Sequence, residues 1–298
     1  MADLPPTRPM QRILIILLSL LPLATFAQGL KSEENTTTNL MEMQVEAKFA
    51  KHFKHQHITL YLTEKIYSRL YESLYNESTK ATSAASPYLR RSHTSLGLNY
   101  KPIPYFQTGA AYTLILHADK IAANSNLPDE FLRHRVTAHV TGMYDVEDWK
   151  FSLRERLDAN IRTDSVNRHE KPQTALVLRH KLQAQYSIPG QPLKTYAYVE
   201  LWNTLNQPVN YLNTYAGVDD DGNATAYAGK QFGQYLSEVR TQIGLSWRID
   251  KLNTIGLAYR FRYSYNRDIN ITKSKGLIEL THARNFGHFI ILSYNLNW

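Results

Sequence analysis

Cysteine is absent from the 298 residues. That excludes disulfides, thiolate metal centres and an amino-terminal lipid-anchored cysteine, and it leaves the redox compartment open. Long apolar runs are missing too. The most extended one, Ile13 to Phe26 (ILIILLSLLPLATF), has 14 residues, short of the roughly 20 needed by a membrane-spanning helix. Acidic residues are comparatively scarce, 26 Asp and Glu against 34 Lys and Arg, which gives a formal net charge of +8. Charge of that sign alone would admit nucleic acid or acidic ligands as partners.

The first residues narrow those options. Arg8 and Arg12 precede the apolar run, and small residues, Thr25 and Ala27, close it. A basic n-region, a short h-region and a small-x-small site predict a secretory signal peptide over residues 1–27, with Gln28 as the first mature residue. Residues 28–39 form an amino-terminal mature segment, and a domain follows over 40–298. An exported chain is not a cytoplasmic nucleic-acid binder, so no nucleic-acid partner is expected.

The stretch WKFSLRERLDANIR, residues 149–162, admits two readings. As a helix, Leu153, Leu157 and Ile161 recur every fourth residue and leave a basic face. As a strand, Trp149, Phe151, Leu153, Leu157, Ala159 and Ile161 share one side, and Lys150, Arg154, Arg156, Asp158 and Asn160 share the other. The rest of the chain decides for the strand. Period-two alternation recurs over 40–53, 57–70, 88–101, 105–118, 132–144, 149–162, 176–188, 193–205, 235–249, 254–266 and 286–298. Connections alternate between short (54–56, 102–104, 145–148, 189–192, 250–253) and long (71–87, 119–131, 163–175, 206–234, 267–285). Such sorting fits an antiparallel up-and-down transmembrane barrel, with short periplasmic turns and long extracellular loops. A soluble sandwich has no cause to sort its turns by length, and its strands run to only about 5 or 6 residues.

Aromatic residues on the apolar parity cluster by height. Phe53, Tyr100, Phe106, Tyr144, Trp149, Tyr186, Trp247 and Trp298 lie beside the short turns, and Tyr88, Tyr235, Tyr263 and Tyr265 near the opposite ends. Two girdles around an aliphatic band are expected where rings sit at lipid headgroups. The chain stops on HFIILSYNLNW, with Ile290, Leu292, Tyr294, Leu296 and Trp298 on one face. That ending resembles the signal by which the barrel assembly machinery recognises its clients, so that machinery and outer-membrane lipid are expected partners. Eleven spans are read from the alternation, yet single-chain bacterial barrels normally have an even number. About 12 strands are therefore expected, within a range of 10–12.

The segments LRHRVTAHVTGMY, WKFSLRERLDANI, LVLRHKLQAQY, YAYVELWN, VRTQIGLSWRIDKLNTIGLAYRFRY and FIILSYNLNW together resemble the bacterial outer-membrane barrel family known as domain of unknown function 2490. The resemblance covers most of the mature chain. It implies a barrel in the outer membrane of a Gram-negative bacterium, and it brings no activity and no functional residues.

If the apolar parity faces lipid, the other lines the lumen. That side is rich in bases, of which Arg133, Arg135, Arg154, Arg156, Arg179, Arg240, Arg260 and Arg262 are the candidate solute-binding residues. Only Glu42, Glu46, Asp158, Glu200 and Glu238 oppose the luminal bases. One reading is a pore or binding barrel for small anionic solutes, since Arg and Lys lower the barrier to anions and grip carboxylate or phosphate. The other is a closed structural barrel whose arginines are cross-linked by the few acids and by Tyr196, Tyr198 and Trp202. The excess of base favours the first, because unpaired buried guanidinium is costly.

Other chemistry has weaker support. His93 and Ser95 in SHTS resemble the His-x-Ser of outer-membrane lipid deacylases but fall on the luminal parity, with no acid partner in evidence. His93, His117 and His139 share that parity without metal-ligand spacing. DDDGN at Asp219–Asn223 lacks the alternating ligands of a calcium loop. No enzyme, cofactor or metal is expected. Glu64 and Glu155 break the pattern by standing on the apolar parity. Neither carboxylate is expected to face mid-bilayer lipid: each should lie near the outer interface, or a β-bulge should turn it inward.

Overall fold

The computed structural model describes residues 36–76, 80–85, 87–118, 132–163, 172–208, 232–272 and 277–298. The expected signal peptide, residues 28–35 and the stretch Asp219–Asn223 lie outside the described residues. The strands are β1 (Thr36–Phe53), β2 (Ile58–Asn76), β3 (Ala81–Ala85), β4 (Tyr88–Ile103), β5 (Phe106–His117) and β6 (Leu132–Val146). They continue as β7 (Trp149–Arg162), β8 (Thr174–Ser187), β9 (Leu193–Pro208), β10 (Phe232–Arg248), β11 (Asn253–Thr272) and β12 (Leu277–Asn297). A 3-10 turn, Lys54–Gln56, joins β1 to β2. The stretch WKFSLRERLDANIR is β7, over the span predicted for it.

Neighbours pair antiparallel from β4 through to β12, β2 pairs with both β1 and β4, and β1 closes the wall against β12. The short β3 pairs with Glu72–Asn76 of β2, while β4 pairs with Ile58–Arg69 of the same strand. Twelve strands thus make eleven columns, with β3 standing in line beyond β4. This resolves the conflict between a count of eleven and the expectation of an even number. In a wall that alternates direction, the first and eleventh columns run the same way, so closure has to be parallel. It is parallel, from Thr36 opposite Ala283 to Ala50 opposite Asn297. Parallel pairing is slightly weaker per residue, and Trp298 adds to it: its N–H donates to Ala50 O and its carbonyl accepts from His52 N, both at 2.9 Å.

Two connections differ from the sequence reading. Residues 267–285, taken as a long loop, mostly belong to β11 and β12, which stay paired up to Thr272 opposite Leu277. Residues 71–76, taken as the start of a loop, prolong β2. Asn, Asp, Glu, Ser and Thr in these stretches read as loop, but they pair as strand because the neighbouring strand continues beside them.

The barrel is inverted relative to a water-soluble protein. Its outer face carries large apolar side chains in the open, among them Leu96 at 63%, Ile243 at 61% and Leu182 at 60% exposure, with Tyr100, Tyr144, Trp149, Trp247 and Trp298 near the short turns. At the other end, Tyr263 packs on Phe286 and Tyr235 on Tyr265. Most of the buried side chains are instead polar or charged, including Glu42 at 0%, Asp158 at 1% and Glu200 at 2%. Period-two alternation produces this sorting directly, because successive side chains point to opposite faces.

Both exceptional glutamates stay outside. The register of β7 against β6 and β8 is unbroken, so no bulge turns Glu155 inward. Its carboxylate rests instead against Nδ1 of His180 on β8. Glu64 shares the outer side of β2 with the exposed Leu62 and Ile66, and accepts a 2.6 Å hydrogen bond from Thr94 Oγ1. The alternative of a bulge that turns the carboxylate inward is thereby corrected: each carboxylate meets a polar neighbour on the next strand, and Glu155 Oε1 is left without a hydrogen-bond partner among the described residues.

Candidate functional site

The inward parity encloses two connected cavities of about 750 and 320 Å³. Lys48, Lys65, Ser95, Arg154, Arg156 and Lys181 line both. The smaller lies toward the short turns, among Tyr61, Asn99, Gln107, Thr141 and Ser152. Inward side chains there, such as Gln107, Thr141, Ser152, Gln183, Ser293 and Asn295, are neutral and half-buried. Nearer the long connections the inward side chains are charged and buried, with Glu42, Arg69, Arg179, Arg262 and Phe289 all below a tenth exposed. The interior is a vestibule that mixes neutral side chains with Glu46 and the shared bases and leads to a buried, charged floor.

Seven of the eight candidate arginines line the larger cavity: Arg135, Arg154, Arg156, Arg179, Arg240, Arg260 and Arg262. Arg133 does not. It lies two residues up β6 from Arg135 and directly opposite Arg162.

The seven divide by partner. Arg156 Nε donates to Asp158 Oδ1 at 2.7 Å, and Arg179 bridges Asp158 Oδ2 at 3.1 Å to Glu200 Oε1 at 2.7 Å. Arg154 reaches the same Glu200 oxygen at 3.7 Å, and Arg240 pairs with Glu238. Trp202 joins the halves of this belt. Its Nε1 donates to Glu200 Oε2 at 2.9 Å, and its ring is sandwiched between Arg179 at 3.9 Å and Arg240 at 3.8 Å. The belt answers a problem posed by the register, which sets Arg156 opposite Arg179, Arg154 opposite Lys181 and Arg240 opposite Arg262. Like charges directly opposed cost several tenths of a kcal/mol or about 1 kcal/mol each. Asp158 and Glu238 stand two residues along the strand from Arg156 and Arg240, and Glu200, directly across from Lys181 and Arg240 in the register, gives its carboxylate diagonally to Arg179 and Arg154.

The other three have no carboxylate partner among the described residues. Arg135 Nε donates to Asn160 Oδ1 at 2.6 Å, Arg260 donates to Gln242 and Gln44 at 2.8 and 3.1 Å, and Arg262 lies 5.0 Å over the Phe289 ring. Three further cavity cations share this condition. Arg91 covers Tyr67 at 4.6 Å, Lys181 covers Tyr198 at 3.8 Å and Lys48 covers Tyr61 at 5.1 Å.

Alternation alone could not supply every member of the site. Arg90 stands at a bulge, where Tyr67 pairs with Arg91 and the next residue, Ser68, pairs with Leu89. The extra residue reaches Glu42, the most buried carboxylate. Gln44 and Gln242 carry no charge and gave no signal, yet both hold Arg260. Gly97 and Gly244 oppose Tyr61 and Tyr196, and a Cβ at either would come within 2.6 Å of the tyrosine ring. These glycines let the rings lie flat against the wall and keep the vestibule clear.

His93 and Ser95 both line the larger cavity. Ser95 Oγ hydrogen bonds to Thr113 Oγ1 at 2.9 Å, and His93 packs at a tilt against Tyr67, with ring centres 4.9 Å apart, so the two do not form a nucleophile–base pair. His139 lines the other cavity.

No curated protein sequence matches the chain. Residues 57–273 match the family described as "Protein of unknown function (DUF2490)". The matched span runs from the start of β2 to the end of β11 and contains all eight candidate arginines, leaving out the two strands of the parallel closure. The chain belongs to this DUF2490 family.

Proposed function

We propose that the chain is an outer-membrane β-barrel whose basic interior binds small anionic solutes, which enter from the end with the short turns. The outward apolar face and its aromatic ends support the membrane setting, since such a surface suits hydrocarbon and headgroups. The observation that carries the binding reading is the set of six cavity cations, Lys48, Arg91, Arg135, Lys181, Arg260 and Arg262, that form no salt bridge with a carboxylate among the described residues. Arginine unpaired in a confined space calls for water and a counter-anion. The charged, closely packed half near the long connections favours binding over free passage.

Calorimetric titration of the refolded barrel with small anions, beside conductance in planar bilayers, tests this. Saturable anion binding with small or no conductance is expected. Large anion-selective channels would favour passage through the same lumen. Cation-selective channels, or neither binding nor conductance, would leave the closed structural barrel for which the Arg156–Asp158–Arg179–Glu200 belt speaks. Phospholipid hydrolysis lost in Ser95→Ala would revive a lipid hydrolase.

A further inference from the structure

Three of these six cations, Arg91, Arg135 and Arg262, line the larger cavity together, and the Nε of Arg91 and of Arg262 is buried with no hydrogen-bond partner among the described residues. Arg91 on β4 has Arg90, Glu42 and Arg240 among its nearest charges, Arg135 on β6 has Asp158, Arg179 and Arg91, and Arg262 on β11 has Glu238, Arg240, Arg91 and Glu42. Arg91 therefore links guanidinium groups from opposite sides of the bore: β6 and β11 lie five columns apart in a wall of eleven. Tyr67, only 7% exposed, stands in their midst, with Lys65, Arg91, Arg260 and Arg240 as the charges around its hydroxyl. His93, 9% exposed and tilted against the same ring, lines the cavity with an Nε2 that has no hydrogen-bond partner among the described residues.

Gathering like charges around a cavity is unfavourable for the empty barrel and becomes favourable when an anion sits among them. A monocarboxylate offers one charge and two oxygens. A phosphoryl group offers up to two charges and three oxygens, enough for several guanidinium forks to bind at once. The cavity, about 750 Å³, falls within the roughly 300–1,000 Å³ of small-molecule sites and far exceeds inorganic phosphate. Tyr196 and Tyr198 flank the remaining space.

We propose that Arg91, Arg135 and Arg262, with Tyr67 and His93, bind the phosphoryl group of a phosphorylated small solute whose uncharged body lies toward the vestibule. This rests on the anion-binding reading and specifies its ligand class.

The test is calorimetric titration of the refolded barrel in detergent at fixed ionic strength with glucose 6-phosphate, inorganic phosphate, acetate and glucose. Glucose 6-phosphate should bind at least tenfold more tightly than acetate, and glucose not at all. Arg91→Gln and Arg262→Gln should each weaken glucose 6-phosphate at least tenfold, and Lys150→Gln, at the short-turn end, should leave it unchanged. Either Gln variant should also lose the rise in unfolding midpoint that glucose 6-phosphate gives the parent. If a Gln variant does not refold, Arg91→Lys, which keeps the charge and loses the fork, serves instead and should weaken binding. Equal binding of acetate and glucose 6-phosphate would overturn the phosphoryl assignment and leave anion binding standing. Binding undiminished in the arginine variants would overturn the site. Failure of every anion to bind would overturn both.

Discussion

Glu155 on β7 and His180 on β8 stand directly opposite one another on the outer, apolar face, with the carboxylate against the imidazole Nδ1. The other imidazole nitrogen, Nε2, lies 3.0 Å from Asn203 Nδ2 on β9. Three strands thus contribute one polar cluster to a surface rich in leucine, valine and isoleucine. His180 is 4% exposed, so the cluster is largely covered by its neighbours.

Breaking this pair from one side should cost more than removing it whole. His180→Leu leaves a carboxylate without its partner on an apolar face and should destabilise the barrel by about 2 kcal/mol or more. The Glu155→Leu, His180→Leu double variant should recover much of that loss. Urea unfolding across the double-mutant cycle should give a coupling above about 1 kcal/mol. Additive effects would mean that the contact contributes nothing to stability.

Trp202 holds two arginines and one carboxylate at once. Trp202→Leu should cost about 2–4 kcal/mol through lost packing and lost cation–π contact. It should also free Arg179 and Arg240 to contact anions, so anion affinity should be retained or rise while the unfolding midpoint falls. A parallel loss of both would show that the belt shapes the binding surface.

The β6–β7 hairpin turns in two residues, Glu147 and Asp148, with Glu147 at φ 51°. A side chain in that left-handed region costs about 1 kcal/mol that glycine avoids. Glu147→Gly should therefore raise the urea midpoint with an unchanged slope, and Glu147→Val should lower it.

At the β10–β11 turn, Asp250 accepts hydrogen bonds from Leu252 N and Asn253 N through Oδ1, at 2.7 and 2.8 Å, and from Asn253 Nδ2 through Oδ2 at 2.7 Å. The Asn253 side chain and these amides hold its carboxyl below the usual aspartate value. A lowered carboxyl stabilises the fold above its unfolded value and loses that contribution as pH falls through its folded one. Asp250→Ala should weaken the turn at pH 7, and the difference from the parent should fade as pH is lowered below the ordinary carboxylate range. Hydrogen exchange at the Asn253 amide reads it directly.

Most of the wall was legible because period-two alternation is the same signal in sequence and in sheet. WKFSLRERLDANIR shows it most plainly, with Leu153 and Leu157 falling at both helical and strand spacing until the polar residues between them decide. Alternation gives parity but not contacts. It placed Arg154 and Arg179 inward, yet it could not say that Glu200 joins them or that Arg135 finds only Asn160. It fails at bulges, which hid Arg90, and it undervalues neutral residues such as Gln44 and Gln242. Composition misled at 267–285, where polar residues continue a hairpin. The even-number rule set aside a count that the parallel pairing of β1 and β12 now explains.

That closure carries a consequence for lineage and for experiment. A barrel that grows or shrinks by whole hairpins keeps the parity of its columns, so eleven cannot be reached from an even-numbered ancestor by hairpin duplication alone; a single strand has to be gained or lost. The start of β1 and the end of β12 consequently mark opposite mouths. Because the native chain has no cysteine, one thiol introduced at Thr37 and another at Asn297 would report on the two mouths of the barrel independently.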